Sequence, residues 1–442
     1  MLYRCRGCGY QSLKWLGRCP ECGQWESFSE LPSDQAGDSS PRGAPQSIVE
    51  ISLEASGRWP TGISEFDRIL GGGVLIGSTV LIGGEPGIGK STLMLEVAGR
   101  LAQGSTSPVL YVSGEEAPAQ IKLRARRLGL DSAKNLWVLN EQRLSAICAA
   151  AREAKAATLI VDSIQTVFSS SMKEGLGTTQ QVGEAAFHLS QLAKSEKIPI
   201  YLIGHITKSG EFAGPKAIEH LVDVALYLEG GRDSDIRILR AVKNRYGSTE
   251  EIGVFQMSEG GLREISNPSA FFTERTGEPK PGAAIVPSLE GTRPILVEIQ
   301  ALVTSTRATM PQRRATGLDY NRVALLLAVV EKRLGLHITQ DDVYLNVAGG
   351  LALREPAIDL GIVAAVVSSY KDRAIDSDTV VMGELGLLGE LRKVRKLKER
   401  LNEAAKLGYR RAVVPASERL EGLGLEVRSA TGIEEAIGQL GL

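Results

Sequence analysis

The stretch GGEPGIGKST, residues 83–92, has the residue types and spacing of a phosphate cradle. Gly84, Gly89, Lys90 and Ser91 fit the pattern G-x-x-x-x-G-K-[ST]. Glycines let backbone N–H groups curl around a phosphate chain with no Cβ in the way. On this reading Gly84, Glu85, Pro86, Gly87, Ile88, Gly89, Lys90, Ser91 and Thr92 hold a nucleotide. Lys90 supplies a mobile charge for the β- and γ-phosphates, and the Ser91 hydroxyl ligates Mg²⁺. ATP and Mg²⁺ are the cofactors this chemistry calls for.

Such a loop works only between a strand and a helix. STVLIGG before it is apolar and β-branched, and STLMLEVAGRLA after it has helical spacing. A helix starting at Lys90 aims its N-terminal dipole at the phosphates. Further on, PVLYVSGEE, TLIVDSIQT, IPIYLIGHIT and VDVALYLEG read as strands, and QQVGEAAFHLSQLAKSE as a helix. Strands alternating with helices predict a mostly parallel sheet, with active groups at the carboxyl ends of its strands. Each strand end carries a candidate. Asp162 follows an apolar run and can complete the Mg²⁺ shell. Glu115, first of the Glu115–Glu116 pair, can align and deprotonate an attacking water. His205 can sense the γ-phosphate. Taken singly, a strand-end carboxylate is as readily a helix cap or a surface charge.

Five cysteines are present, and four lie in CRGCGYQSLKWLGRCPECGQW. Cys5 and Cys8 form one C-x-x-C turn and Cys19 and Cys22 another, the spacing of a closed tetrahedral Zn²⁺ site. A redox pair or disulfides are the alternatives. Cys148 reads as core filler. The formal net charge of −1 does not advertise nucleic-acid binding, so DNA contacts must come from local basic loops. No run is apolar enough to span a membrane, and MLYRCRGCGY is no secretory signal, so a cytoplasmic protein is expected. The polar, proline-rich LPSDQAGDSSPRGAPQS reads as a linker, and a second break falls near EISNPSAFFTERTGEPKPGA. The expected division is a zinc knuckle over 1–30, a linker over 31–55, an ATPase domain over 56–266, a linker over 267–283 and a C-terminal domain over 284–442.

The segments TGISEFDRILGGGVLIGSTVLIGGEPGIGKSTL, LYVSGEE and TLIVDSIQT resemble the core of RecA-type ATPases. The cysteine knuckle, with SLKWLGRCPECGQW, and AVKNRYGSTEEIGVF resemble one family specifically, that of the bacterial DNA repair protein RadA, also called Sms. The resemblance covers nearly the whole chain. It implies that Lys90 and Ser91 are the Walker A lysine and magnesium ligand, Asp162 the Walker B acid and Glu115 the catalytic glutamate. His205 falls where RecA has a γ-phosphate-sensing glutamine. KNRYG matches the family's K-N-R-F-G motif, with Tyr246 for phenylalanine. Lys243 and Arg245 lie two apart and so face the same way in a strand. In RecA-like assemblies such cations reach across to a neighbour's γ-phosphate, and a solvated edge strand with a basic face is the alternative. The loops 169–181 and 208–220 match those lining the DNA path, with Lys173, Lys208 and Lys216 as phosphate contacts. Ordinary solvated loops are the alternative.

DDVYLNVAGGLALREPAIDLGIVAAVVSS and VVMGELGLLGELRKVRKLKERLNEAAKLGYRRAVVP resemble the proteolytic domain of Lon proteases. The dyad lysine falls at Lys398, but the serine position in REPAID holds Ala357, which leaves no nucleophile. The fold expected is therefore α/β throughout its two large parts: a four-cysteine zinc knuckle, a RecA-like P-loop core with a mostly parallel sheet, and a non-proteolytic Lon-like domain. Lon-type domains form six-membered rings, which implies a homo-hexamer; Arg392, Lys393, Arg395 and Lys396 read as added DNA-binding surface or, equally, as a solvated helix face. The function implied is an ATP-driven motor of homologous recombination. It would bind single-stranded DNA and branched recombination intermediates, beside a RecA-type recombinase, and promote branch migration. An ATP-controlled protein-binding switch and a Lon-type peptidase are the rival readings.

Overall fold

A computed structural model describes residues 2–5, 11–12, 14–20, 23–31, 47–50, 57–169, 178–205, 217–231, 234–273, 278–306, 310–416 and 422–442. The chain divides into a small unit, Met1–Ala55, and a large one, Ser56–Leu442. In the small unit an antiparallel sheet runs Gln11–Ser12, Leu2–Cys5, Phe28–Leu31, with Cys5 opposite Phe28. Cys5, Cys19 and Phe28 form its buried core. Gly23 has φ 73° and donates its N–H to the Cys19 carbonyl, folding the chain back beside that thiol.

The large unit contains a nine-stranded sheet ordered Gly261–Glu264, Ile252–Ser258, Ile236–Asn244, Val224–Glu229, Thr79–Gly84, Ile200–Ile203, Thr158–Asp162, Val109–Ser113, Leu136–Asn140. The last six of these are parallel, and the first three extend the sheet antiparallel. The central parallel strands are apolar at nearly every position because helices cover both faces. Val80 and Ile82 pack with the helix Lys90–Gly104, whereas Leu81 faces the helices Leu144–Glu153 and Thr179–Glu196. This is the period-two alternation of a strand with two cores. Cys148 is half-buried against the second core.

A mixed seven-stranded sheet follows, ordered Arg313–Thr316, Asp341–Val347, Arg293–Ser305, Ala283–Glu290, Thr379–Val381, Arg411–Pro415, Glu426–Ala430. The strongly apolar helix Asp359–Tyr370 lies across it and is buried along almost its whole length. The segment joining the two sheets is packed where it is described. Pro268–Phe272 is a helix capped by the Asn267 side chain, and Phe272 is buried in the second domain's core. That core reaches into the first domain through Ile236, Ile252 and Val254. Charged contacts reinforce the junction. Glu65, buried, accepts from Arg68 at 2.7 Å, from the Val254 N–H at 2.9 Å and from Arg293 at 3.0 Å. Arg240 reaches Glu290 at 2.9 Å. No helix among the described residues is long and apolar enough to cross a membrane.

Glu65 thus satisfies two cations and a backbone donor at once. Glu65→Ala strands all three and is expected to destabilise the large unit by about 3 kcal/mol. Denaturant unfolding reads this directly, and a loss below about 1 kcal/mol would contradict the role given to Glu65.

Candidate active site

Parallel register brings four strand ends to one edge. Ile203 lies opposite both Ile82 and Asp162, and Asp162 lies opposite Ser113. The phosphate loop leaves the first of these strands at Gly84, whose φ is 156° and where a Cβ would fall 2.6 Å from the Leu228 carbonyl oxygen. It enters the helix through Gly89, with φ 114°, where a Cβ would meet Met257 at 2.7 Å. Only glycine fits either position.

Lys90 is 3 % exposed, and its ammonium donates to the Gly84 and Glu85 carbonyls, each at 2.8 Å. Burial pulls its pKa down to about 8, against the opposing pull of Asp162 and Glu115. Asp162 is itself held. The buried Tyr111 hydroxyl donates to its Oδ2 at 2.7 Å, and burial together with the Asp162 charge pushes the phenol well up, so Tyr111 remains a donor. One Asp162 oxygen is thereby engaged by Tyr111. Ser91 lies in the first turn of the helix Lys90–Gly104.

The two adjacent glutamates part company. Glu116 is taken by Arg124, and its N–H by Ser113 Oγ at 2.9 Å. Glu115, about half exposed, accepts from Ser163 Oγ at 2.6 Å with His205 Nε2 3.6 Å away. His205 Nδ1 and Gln165 Oε1 are buried without hydrogen-bond partners among the described residues. Gln165 Nε2 donates to the His205 carbonyl at 3.3 Å. Lys90, Glu115, Asp162 and His205 therefore converge, as their strand-end positions predict.

Lys243 and Arg245 do not join them. Lys243 lies opposite Ala225 at the amino end of Val224–Glu229, whereas Gly84 lies opposite Leu228 at its carboxyl end. The Lys243 ammonium caps the helix Ala217–Leu221 through the Glu219 carbonyl at 2.6 Å and reaches the Val222 carbonyl at 2.7 Å. Burial lowers its pKa, with the Arg245 charge adding to the effect. Arg245 sits 3.4 Å from Asp223, which also accepts from the Thr79 N–H at 3.0 Å. The KNRYG motif is thus anchored to the base of the phosphate-loop strand, on the far edge from its own loop. Lys173, Lys208, Lys216, Cys8 and Cys22 lie outside the described residues.

Tyr111, Ser163, Gln165 and Asp223 escape the sequence reading. A tyrosine inside the apolar LYVS and a serine just after Asp162 were available signals, but their partners come from other strands. In the C-terminal domain Ala357 is buried, and Lys398 is exposed. The cation facing the Ala357 turn is Arg400, which is 1 % exposed and bidentate to Glu355, with both contacts at 2.6 Å. A guanidinium does not give up its proton at neutral pH, and the buried Ala357 carries no hydroxyl or thiol. Arg392, expected as free basic surface, is paired with Glu384 and Glu390, and Lys396 with Glu250.

The lowered Lys90 pKa has a binding consequence. Phosphates require the charged ammonium, and above about pH 8 the free loop has lost that proton. Binding must then take it up, so the Kd for ATP is expected to rise about tenfold between pH 7 and pH 9. Lys90→Arg stays charged and should lack that rise. Calorimetric titration across this range checks it, and a flat profile for the unaltered protein would contradict the assignment.

Residues 59–137 match the family model of the KaiC ATPase, residues 3–30 that of the rubredoxin metal binding domain, and residues 320–418 that of subunit ChlI of Mg-chelatase. The central domain is a P-loop ATPase domain. The chain is 47% identical to the DNA repair protein RadA of Bacillus subtilis, over 98% of this chain and 97% of that one. It is 46% identical to the RadA of Streptococcus pyogenes, over 98% and 97%, and 47% identical to that of Listeria monocytogenes, over 93% and 91%. With that likeness running end to end through knuckle, ATPase core and Lon-like domain, the chain belongs to the family of the bacterial DNA repair protein RadA.

Proposed function

We propose that this protein is an ATP-driven DNA motor of homologous recombination. It binds single-stranded DNA and moves the branch point of recombination intermediates, working as a homo-hexameric ring in the cytoplasm beside a RecA-type recombinase. One observation carries the reading: the hydrolytic cluster lies on one edge of the sheet, and Lys243 and Arg245 lie on the other. A complete site then needs two subunits, with these cations reaching a neighbour's γ-phosphate. Hydrolysis in one subunit is thereby felt by the next. The relatives' designation as DNA repair proteins supports the same reading.

Mg²⁺, held by Ser91 and Asp162, would neutralise charge on the β- and γ-phosphates. Lys90 leaves the Gly84 and Glu85 carbonyls for the phosphates. Ser163 fixes one Glu115 oxygen, and the other orients the attacking water and takes its proton. His205, two residues past its strand, senses the γ-phosphate. Lys173, Lys208 and Lys216 contact DNA phosphates without regard to sequence. Cys5, Cys8, Cys19 and Cys22 hold Zn²⁺. Cys5 and Cys19, buried in one cluster, suit that role.

Branch migration of a labelled three-strand intermediate tests the proposal. Glu115→Gln is expected to cut ATP turnover at least a hundredfold and to stop ATP-dependent extension. Glu116→Gln, whose parent is tied to Arg124, should leave both largely intact. An active ATPase that extends nothing would sink the motor reading and favour an ATP-controlled switch acting on a protein partner.

A further inference from the structure

The phosphate loop is braced from outside by a residue with no part in the cluster above. Arg237, half-buried in the strand Ile236–Asn244, donates from Nε to the Ile88 carbonyl at 3.1 Å. Its Nη1 is committed as well, to the carbonyls of Ser234, of Ile236 at 2.9 Å and of Gly231 at 3.4 Å. The side chain lies over Gly230, where a Cβ would stand 2.7 Å from Arg237 Cδ. Glycine there leaves the guanidinium its path.

A trans peptide points its carbonyl and the next N–H in opposite directions. With the Ile88 oxygen drawn toward Arg237, the Gly89 N–H is turned away from Arg237. A phosphate oxygen needs such a donor. Gly89 has no Cβ to oppose rotation of this peptide, so its orientation must be imposed by a partner, and a charged donor is a strong one. The other end of the brace reaches the second domain. Ser234, whose carbonyl Arg237 holds, donates from Oγ to the Gly349 carbonyl at 3.4 Å.

We infer that Arg237 is a positioning residue of the ATPase: by holding the Ile88 carbonyl outward it presets the Gly89 N–H for the phosphates of the nucleotide. The inference rests on the loop being the phosphate site. The contacts of Arg237 are to backbone carbonyls and not to Lys90, Glu115, Asp162 or His205, so it acts on binding and leaves the hydrolytic groups unmoved.

Steady-state ATP hydrolysis by the full chain, with thermal unfolding in parallel, separates the possibilities. Arg237→Ala is expected to raise the KM for ATP about tenfold, the worth of one charge-assisted hydrogen bond, with kcat within about twofold of the parent. Arg237→Lys, which keeps one donor and the charge, should fall between the two and serves as the readout if the alanine variant does not fold. An unchanged KM in a folded variant, or a loss of kcat at constant KM, would overturn the inference. Failure of the unaltered protein to bind ATP at all would instead remove the phosphate-loop reading itself.

Discussion

A lysine ammonium taken out of water beside two carboxylates sets the terms for the rest of this molecule. Burial works against the charge on Lys90, and the field of Asp162 and Glu115 works for it. The balance holds only because two loop carbonyls accept its protons. Those carbonyls can face inward because Gly84 and Gly89 adopt backbone angles closed to other residues. The carboxylates are in turn aimed by Tyr111 and Ser163, on strands whose register brings their ends level. On the proposed reading a triphosphate would displace the carbonyls, and the ammonium would exchange two neutral dipoles for a full counter-charge. Binding energy and catalytic alignment thus come from the same small set of contacts.

The second domain contributes rigidity. Its core continues into the antiparallel extension of the ATPase sheet, and Glu65 and Arg293 close the junction with a buried pair. Where a Lon-type enzyme keeps its nucleophile, this chain has Ala357 and, beside it, the Glu355–Arg400 pair. The pair also accepts the Leu289 N–H and reaches the Pro287 carbonyl, so it fastens the helix Leu397–Lys406 to the strand Ala283–Glu290.

Local chemistry is what a sequence displays, and the phosphate loop is local: one short run contains its glycines, lysine and hydroxyl. The helix Thr179–Glu196 and the strands around it announce themselves by period and composition in the same way. What stays hidden depends on which residues the fold brings across. The spacing of Lys243 and Arg245 is visible, but only the register at Ala225 shows that they stand on the far edge of the sheet. Nothing in RKLKER distinguishes Lys398 from Arg400 until the helix turns the second toward Glu355. Arg237 looks like one more charge on an alternating strand, and its meaning comes from Ile88, in another strand's loop.

The central claim is that this chain couples ATP hydrolysis to DNA. Steady-state turnover with and without single-stranded DNA, across a salt series and beside Lys90→Ala, tests it most directly. The account predicts stimulation by DNA that fades as salt displaces phosphate contacts and is absent from the lysine variant. Equal turnover with and without DNA, from an enzyme that is otherwise active, would contradict it.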